Sequence, residues 1–311
     1  MTRTVLQTID LSKSYGDQKA VDKLNLEIYE GEVFGFLGPN GAGKTTTINM
    51  MCGLLNPDLG QVLINGEAVQ HLRRSVGVCP QEVVLWGSLT CMEQMIFIGQ
   101  MYGIRPKEGR LRAGELLAAL GLSEKENVQA HKLSGGMQRR LNLAMALVHE
   151  PAICILDEPE AGLDPQSRVA VRSYIKELAI HKTVILTTHN MDEAERLADR
   201  VAIIDHGKLL VLDTPDALKN SVGRGDVLEI SLGGDRPHHE KALVVLKDMQ
   251  GIEDARLINS TLQVRALDVV NQMAEILNQL KTLHIQPGTV HIRQNSLEDV
   301  FIQLTGRRLR N

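Results

Sequence analysis

Gly38-Pro39-Asn40-Gly41-Ala42-Gly43-Lys44-Thr45-Thr46 decides how the rest of the chain is read. It fits Gly-x-x-x-x-Gly-Lys-Ser/Thr, directly follows the apolar run Val33 to Leu37, and directly precedes a segment with Ile48, Met51 and Leu55 on one helical face. Glycines let successive backbone N–H groups curl around a phosphate chain at a helix N-terminus, where the helix dipole favours negative charge. The pattern assigns Lys44 to the β and γ phosphates of a nucleotide and the Thr45 hydroxyl to Mg²⁺. The bland alternative is a glycine-rich turn that binds nothing, and a chance match in a chain of this composition is on the order of one per cent.

A second element lies far along the chain. Ile153-Cys154-Ile155-Leu156-Asp157-Glu158 reads as a buried strand ending in two adjacent carboxylates. Consecutive strand residues point to opposite sides, so Asp157 can hold Mg²⁺ while Glu158 addresses a nucleophilic water. Alone, an Asp-Glu pair after an apolar run is more often a solvated strand end. Together with the phosphate loop it marks a hydrolytic site.

Further strands follow from alternation and apolar runs: Val5 to Leu11, Leu24 to Ile28, and Val62 to Ile64 before the tight-turn pair Asn65-Gly66. Between about Thr90 and Val148 the period becomes helical, opened by a capping box of Thr90 and Glu93. Apolar runs return at Val184 to Thr187 and Val201 to Ile204. Buried strands alternating with helices predict a parallel sheet covered on both faces. A Gly-bearing polar stretch, Asn220 to Asp226, reads as a linker to a smaller unit. That unit shows strands at Val227 to Leu232, Thr261 to Ala266 and Val290 to Arg293. Its helices are expected at His239 to Met249, along the face Val269, Val270, Met273, Ile276, Leu277 and Leu280, and after Ser296 with Asp299. The order approximates βαββαβ, a ferredoxin-like arrangement.

Composition bounds the job of the chain. Its 311 residues, 43% hydrophobic and 23% charged, suit about two domains and exclude collagen, disorder and coiled coil. No apolar run approaches the roughly 20 residues of a membrane-spanning helix, and Met1-Thr2-Arg3-Thr4 opens no secretory signal, so a cytoplasmic address is expected. Cys52, Cys79, Cys91 and Cys154 form no Cys-x-x-Cys pair, which speaks against structural zinc and disulfides. A net charge of -4 with a pI near 6.2 offers no whole-chain attraction to nucleic acid or anionic lipid.

Leu133-Ser134-Gly135-Gly136-Met137-Gln138, followed by the helix face Leu141, Ala144, Met145 and Val148, carries a family resemblance. The chain resembles the nucleotide-binding subunits of ATP-binding cassette (ABC) transporters, whose signature motif this is. The resemblance implies an α/β fold: a P-loop NTPase of ABC type with a parallel-sheet core, an antiparallel β subdomain and a helical insert at about 88–148. Residues 1–220 would form the ATPase domain and 221–311 the small α+β accessory domain. It further implies ATP as substrate with Mg²⁺. Lys44, Gln81, Glu158 and His189 would be catalytic, and Thr45, Gln81 and Asp157 would hold the metal. Nucleotide would bind at Tyr15, through Gly38, Pro39, Asn40, Gly41, Ala42, Gly43, Lys44, Thr45 and Thr46, and at Ser134, Gly135, Gly136 and Asp164.

Within that pattern Tyr15 matches the aromatic that stacks on adenine, and Gln81, in Val78-Cys79-Pro80-Gln81-Glu82, the glutamine that senses the membrane partner. Asp164, in Gly162-Leu163-Asp164-Pro165, matches the loop that crosses the dimer interface, and His189 the histidine at the γ-phosphate. Two positions depart: Met137 stands where the family usually has Gln, and Glu160 where many relatives have Thr or another neutral residue. The tail Ser296-Leu297-Glu298-Asp299-Val300-Phe301 is similar to the ending of the daunorubicin-type drug-export subgroup; Arg307, Arg308 and Arg310 read as solvated.

The implied machine is a homodimer or paired ATPase that powers export through a separate transmembrane permease, peripheral at the cytoplasmic face of the membrane. Trp86, Met92, Met95 and Phe97 are candidate docking residues, with core packing an alternative for the last three. The rival is a non-transport cassette ATPase acting on the ribosome or nucleic acid. Such relatives carry paired cassettes, long coiled coils or zinc-binding cysteines, none of which this sequence contains, and no nucleic-acid partner is expected.

Overall fold

The computed structural model describes residues 3–306 apart from 70–72, 224, 234, 235 and 259. Arg307, Arg308 and Arg310 lie outside the described residues, as do Met1 and Thr2. The chain divides into two compact units between Pro215 and Asp216.

In the first unit, β1 (Thr4–Tyr15), β2 (Gln18–Tyr29) and β3 (Val33–Leu37) lead into α1 (Lys44–Met51). β4 (Leu59–Ile64), β5 (Glu67–Ala68) and β6 (Val76–Cys79) follow, then α2 (Cys91–Met101), α3 (Pro106–Ala119) and α4 (Gly135–Leu147). The last part alternates β7 (Ile153–Asp157), α5 (Pro165–Ala179), β8 (Thr183–Thr188), α6 (Met191–Leu197), β9 (Arg200–Asp205) and β10 (Lys208–Asp213).

One sheet has the order β2-β1-β4-β5 and is antiparallel throughout. Asn65 and Gly66 both take positive φ between β4 and β5, as a two-residue hairpin of this hand requires. The other sheet has the order β10-β9-β3-β8-β7-β6, parallel from β9 to β6. It is not wholly parallel: β10 runs antiparallel to β9 because the two-residue loop His206-Gly207, both at positive φ, joins neighbouring strands, and parallel partners need a long crossover.

The alternation of side chains along the central strands builds two cores. Phe34, Phe36, Ile153, Ile155 and Ile185 face a cluster shared with β1, β2 and α1, while Cys154, Leu156, Val184 and Leu186 face one shared with α2 to α5. Burial on both faces explains why these strands read as unbroken apolar runs. α2 is opened by the expected capping box, Glu93 N–H donating to the Thr90 hydroxyl and Thr90 N–H to the Glu93 carboxylate at 2.8 Å. Met92 and Met95 lie in the core, whereas Trp86 and Phe97 are exposed and meet edge to face at 5.2 Å. Two of the four proposed docking residues are therefore core packing. All four cysteines are buried and free, and burial pushes the Cys52 and Cys154 thiols up to about 12, so neither is a nucleophile at neutral pH.

The second unit holds α7 (Pro215–Ser221), β11 (Asp226–Leu232), α8 (Arg236–Lys247), β12 (Ile252–Ile258), β13 (Thr261–Ala266), α9 (Val269–Thr282), β14 (Pro287–Arg293) and α10 (Leu297–Thr305). Its sheet has the order β12-β13-β11-β14 with every pair antiparallel. β12 carries no clear strand pattern in the sequence, because this edge strand is only half-buried and alternates weakly. α9 buries Val269, Ile276 and Leu280, but Val270 is exposed, one position off the apolar stripe.

Candidate active site

The phosphate loop leaves the C-terminal end of β3, the central strand between β8 and β9, so the loop opens where the parallel strands end. Gly43 is the N-cap of α1 at φ 103°, and a Cβ there would meet the Ala20 carbonyl at 2.2 Å. Only glycine fits that backbone and that approach. Lys44 is buried at the start of the helix, its ammonium donating to the Gly38 and Pro39 carbonyls at 2.7 and 3.1 Å. Burial holds Lys44 below the usual lysine range, while Glu158 and Asp157 pull it the other way. Asn40 and Thr45 are exposed along the same loop; Pro39 and Thr46 are half-buried, and Gly38 and Ala42 are buried.

β7 delivers the carboxylates. Asp157 ends the strand and accepts a hydrogen bond from the Thr187 hydroxyl of the neighbouring β8. Glu158 leaves the strand at φ 48°, which turns its side chain out of the pleat. Its N–H donates to both the carbonyl and hydroxyl oxygens of Thr187, each at 3.1 Å. The carboxylate is itself gripped at both oxygens: Gln81 Nε2 donates to Oε2 at 3.0 Å, and His189 Nδ1–H to Oε1 at 2.7 Å. Gln81 comes from the loop after β6 and His189 from the segment after β8. Three strand ends thus converge on one acid.

Ser134 and Gly135 are exposed at the start of α4, where the Ser134 hydroxyl caps the helix by accepting from Met137 N–H at 3.3 Å. Gly136 packs against the start of α5, where a Cβ would meet the Ser167 hydroxyl at 2.5 Å; Asp164 caps that helix by accepting from Ser167 N–H at 3.0 Å. Tyr15 is 56% exposed at the end of β1. Among the described residues, no hydrogen bond or ion pair joins Tyr15, Ser134 or Asp164 to the Glu158 cluster. The predicted residues therefore fall into a hydrogen-bonded cluster around Glu158, a phosphate loop near it, and separate surface elements.

Three residues with roles at the site were not singled out by sequence. Arg139 is buried in α4, Thr187 bridges the two acids, and Arg172 of α5 binds Glu160 through both carboxylate oxygens at 2.9 and 2.6 Å. The signal for Arg139 was present: it shares a helical stripe with the buried Asn142, where a charged residue is out of place unless it has a partner. Met137 lies partly buried against the helical core.

A glycine loop between a parallel strand and a helix, with a buried lysine below it and an Asp-Glu pair on a nearby strand, defines a P-loop nucleotide hydrolase. Residues 21–161 match the family described as ABC transporter. The linearmycin resistance ATP-binding protein LnrL of Bacillus subtilis is 34% identical over 99% of this chain and 100% of its own. The daunorubicin/doxorubicin resistance ATP-binding protein DrrA of Streptomyces peucetius is 37% identical over 97% of this chain and 92% of its own. Among solved structures, an ATP-binding subunit of an ABC transporter aligns at 30% identity with a TM-score of 0.64, covering 70% of this chain and 93% of that one. The dimeric post-hydrolysis cassette MJ0796 bound to ADP and Pi aligns at 28% identity with a TM-score of 0.62, covering 67% and 98%. The chain belongs to the ATP-binding subunits of ABC transporters and is an ATPase. No helix among the described residues is long and apolar enough to cross a membrane.

Proposed function

We propose that the chain hydrolyses ATP as a dimer and so powers export through a separate permease. The observation that carries this reading is the Glu158 carboxylate held between Gln81 and His189, in electrostatic reach of Lys44. Phosphoryl transfer to water needs positioning and charge stabilisation more than covalent chemistry. Glu158 orients and deprotonates the water, His189 and Gln81 keep its carboxylate aimed, and Lys44 balances charge on the β and γ phosphates. Ser134, Gly135 and Gly136 bind the γ-phosphate held by the partner subunit, Asp164 lines that interface, and Tyr15 stacks on adenine.

The donor set suits Mg²⁺, which takes hard oxygen ligands and shares them with substrate phosphates: the Asp157 carboxylate, the Thr45 hydroxyl and the Gln81 amide oxygen. Bound there, the ion neutralises phosphate charge. Thr187, by donating to Asp157, keeps that carboxylate facing the loop.

The whole-length relatives named for resistance or export favour export for this chain over action on the ribosome or nucleic acid. The exposed Trp86–Phe97 pair close to the Gln81 loop suits a permease segment at the cytoplasmic membrane face. The test is Glu158→Gln: ATP binding is retained, turnover is lost, and the protein elutes as a dimer with ATP. Wild-type hydrolysis in that variant overturns the assignment.

A further inference from the structure

Arg139 makes an unusual set of contacts. It is 3% exposed, and all five N–H groups of its guanidinium donate to backbone carbonyls rather than to a carboxylate. Nε donates to Pro159 at 3.3 Å; Nη1 donates to Pro80 at 2.5 Å and Gln81 at 3.0 Å. Nη2 donates to Asp157 at 2.6 Å and Glu158 at 2.9 Å. These carbonyls come from two loops far apart in sequence, one after β6 and one after β7. The arginine itself is on the second turn of the helix headed by Ser134.

Gln81 and Glu158, whose side chains meet at 3.0 Å, are thus the same residues whose main chains Arg139 holds. Fixing both backbones through one rigid planar fork sets the distance across which their side chains bond. The positive-φ turn at Glu158 is bracketed by held carbonyls on both sides, at Asp157 and Pro159. Asn142, one turn further along α4, donates to Cys79 Sγ at 3.3 Å and ties the same helix to the end of β6.

We propose that Arg139 is a positioning residue for hydrolysis, clamping the Gln81 loop and the Glu158 turn to the signature helix so that a shift of that helix is felt at the water-orienting carboxylate. The inference rests on Glu158 acting on the water. Lysine in its place keeps the charge but has three donors on one nitrogen and cannot reach five carbonyls spread over two loops. A misplacement of the reacting geometry by about 1 Å costs about 100-fold in rate.

The experiment uses the full chain with Arg139→Lys and Arg139→Gln, each alone and combined with Glu158→Gln. Turnover is normalised to the amount of a fluorescent ATP analogue bound, so that partial misfolding does not count as lost catalysis. Arg139→Lys is expected to lower kcat about 100-fold while analogue affinity stays within about threefold of wild type, a shift of under 1 kcal/mol. In the Glu158→Gln background the same change is expected to alter residual turnover by less than about twofold, since both act through one carboxylate. Unchanged kcat with only a lowered unfolding midpoint overturns the inference, as does full additivity with Glu158→Gln. If Glu158→Gln alone keeps wild-type turnover, the reading of Glu158 falls and this inference with it. If Glu158→Gln loses turnover but Arg139→Lys does not, only the positioning role falls.

Discussion

Replacing Arg172 by methionine tests how the buried acid Glu160 is held beside the active site. The Glu160 side chain is 7% exposed and accepts two charge-assisted hydrogen bonds from an arginine that is 23% exposed. Methionine keeps most of the packing of the arginine stem but leaves the carboxylate alone, with Glu193 as an acidic neighbour. Removing one partner of a buried pair leaves the other uncompensated, and the expected destabilisation is about 3 kcal/mol. Glu160→Gln strands the less buried partner, which water can reach, and is expected to cost about 1 to 2 kcal/mol. The assay is urea unfolding followed by the fluorescence of Trp86, the single tryptophan, which lies in the same compact unit. Equal losses from the two substitutions, or a larger loss for Glu160→Gln, would refute the reasoning.

Glu193 offers a pH test. Burial pushes its carboxyl up to about 7 from the ordinary 4.5, helped by Glu160 and Glu158 and opposed by the Thr188 hydroxyl and Arg172. A raised acid stabilises the fold by binding a proton below 4.5 and loses that contribution as pH rises through 7, so Glu193→Gln gains on wild type by up to about 3 kcal/mol between pH 5 and pH 8. A difference that does not change with pH in urea titrations removes the claim. Thr187→Val deletes the donor to Asp157 and one acceptor of Glu158 N–H; steady-state turnover is expected to fall about tenfold, corresponding to one lost buried hydrogen bond, and wild-type turnover would show the bridge to be idle. Gly114, inside α3 with open space around it, and Gly43, at φ 103° against the Ala20 carbonyl, should respond oppositely to alanine. Gly114→Ala raises stability by about 1 kcal/mol; Gly43→Ala costs about 2 kcal/mol or more from backbone strain alone and abolishes ATP binding. Both are read from the Trp86 unfolding curve, with equal signs counting against the geometry.

Sequence legibility followed the range of the interaction. The strand, loop and helix around Lys44 are local, as is the capping box of Thr90 and Glu93, so neighbouring residue types carry them. Apolar runs at Ile153 to Leu156 and Val184 to Thr187 announced strands buried on both faces. The antiparallel edge at β10 and the half-exposed β12 escaped, since pairing direction and edge position depend on what lies alongside. Helical period alone did not separate Met92 and Met95, inside the core, from Phe97 at the surface, because the direction of the stripe is set by the elements packed against it.

By itself the sequence determined the chemistry present in the chain: a lysine in a glycine loop, two acids closing an apolar strand, a serine heading the signature helix, and the order in which they come. Those patterns survive reading in one dimension because each is written in consecutive residues whose backbone geometry is nearly dictated locally. Only the tertiary structure decided which groups hold which. Gln81 and Glu158 meet across 77 positions, and Arg139 reaches Pro80 across 59. Glu160, a bare departure from the family pattern in the sequence, becomes half of an ion pair once α5 is folded beside it. The physical reason is that a buried charge or donor must find its partner wherever the packed chain places one, and packing brings together residues whose distance in sequence carries no signal of their distance in space.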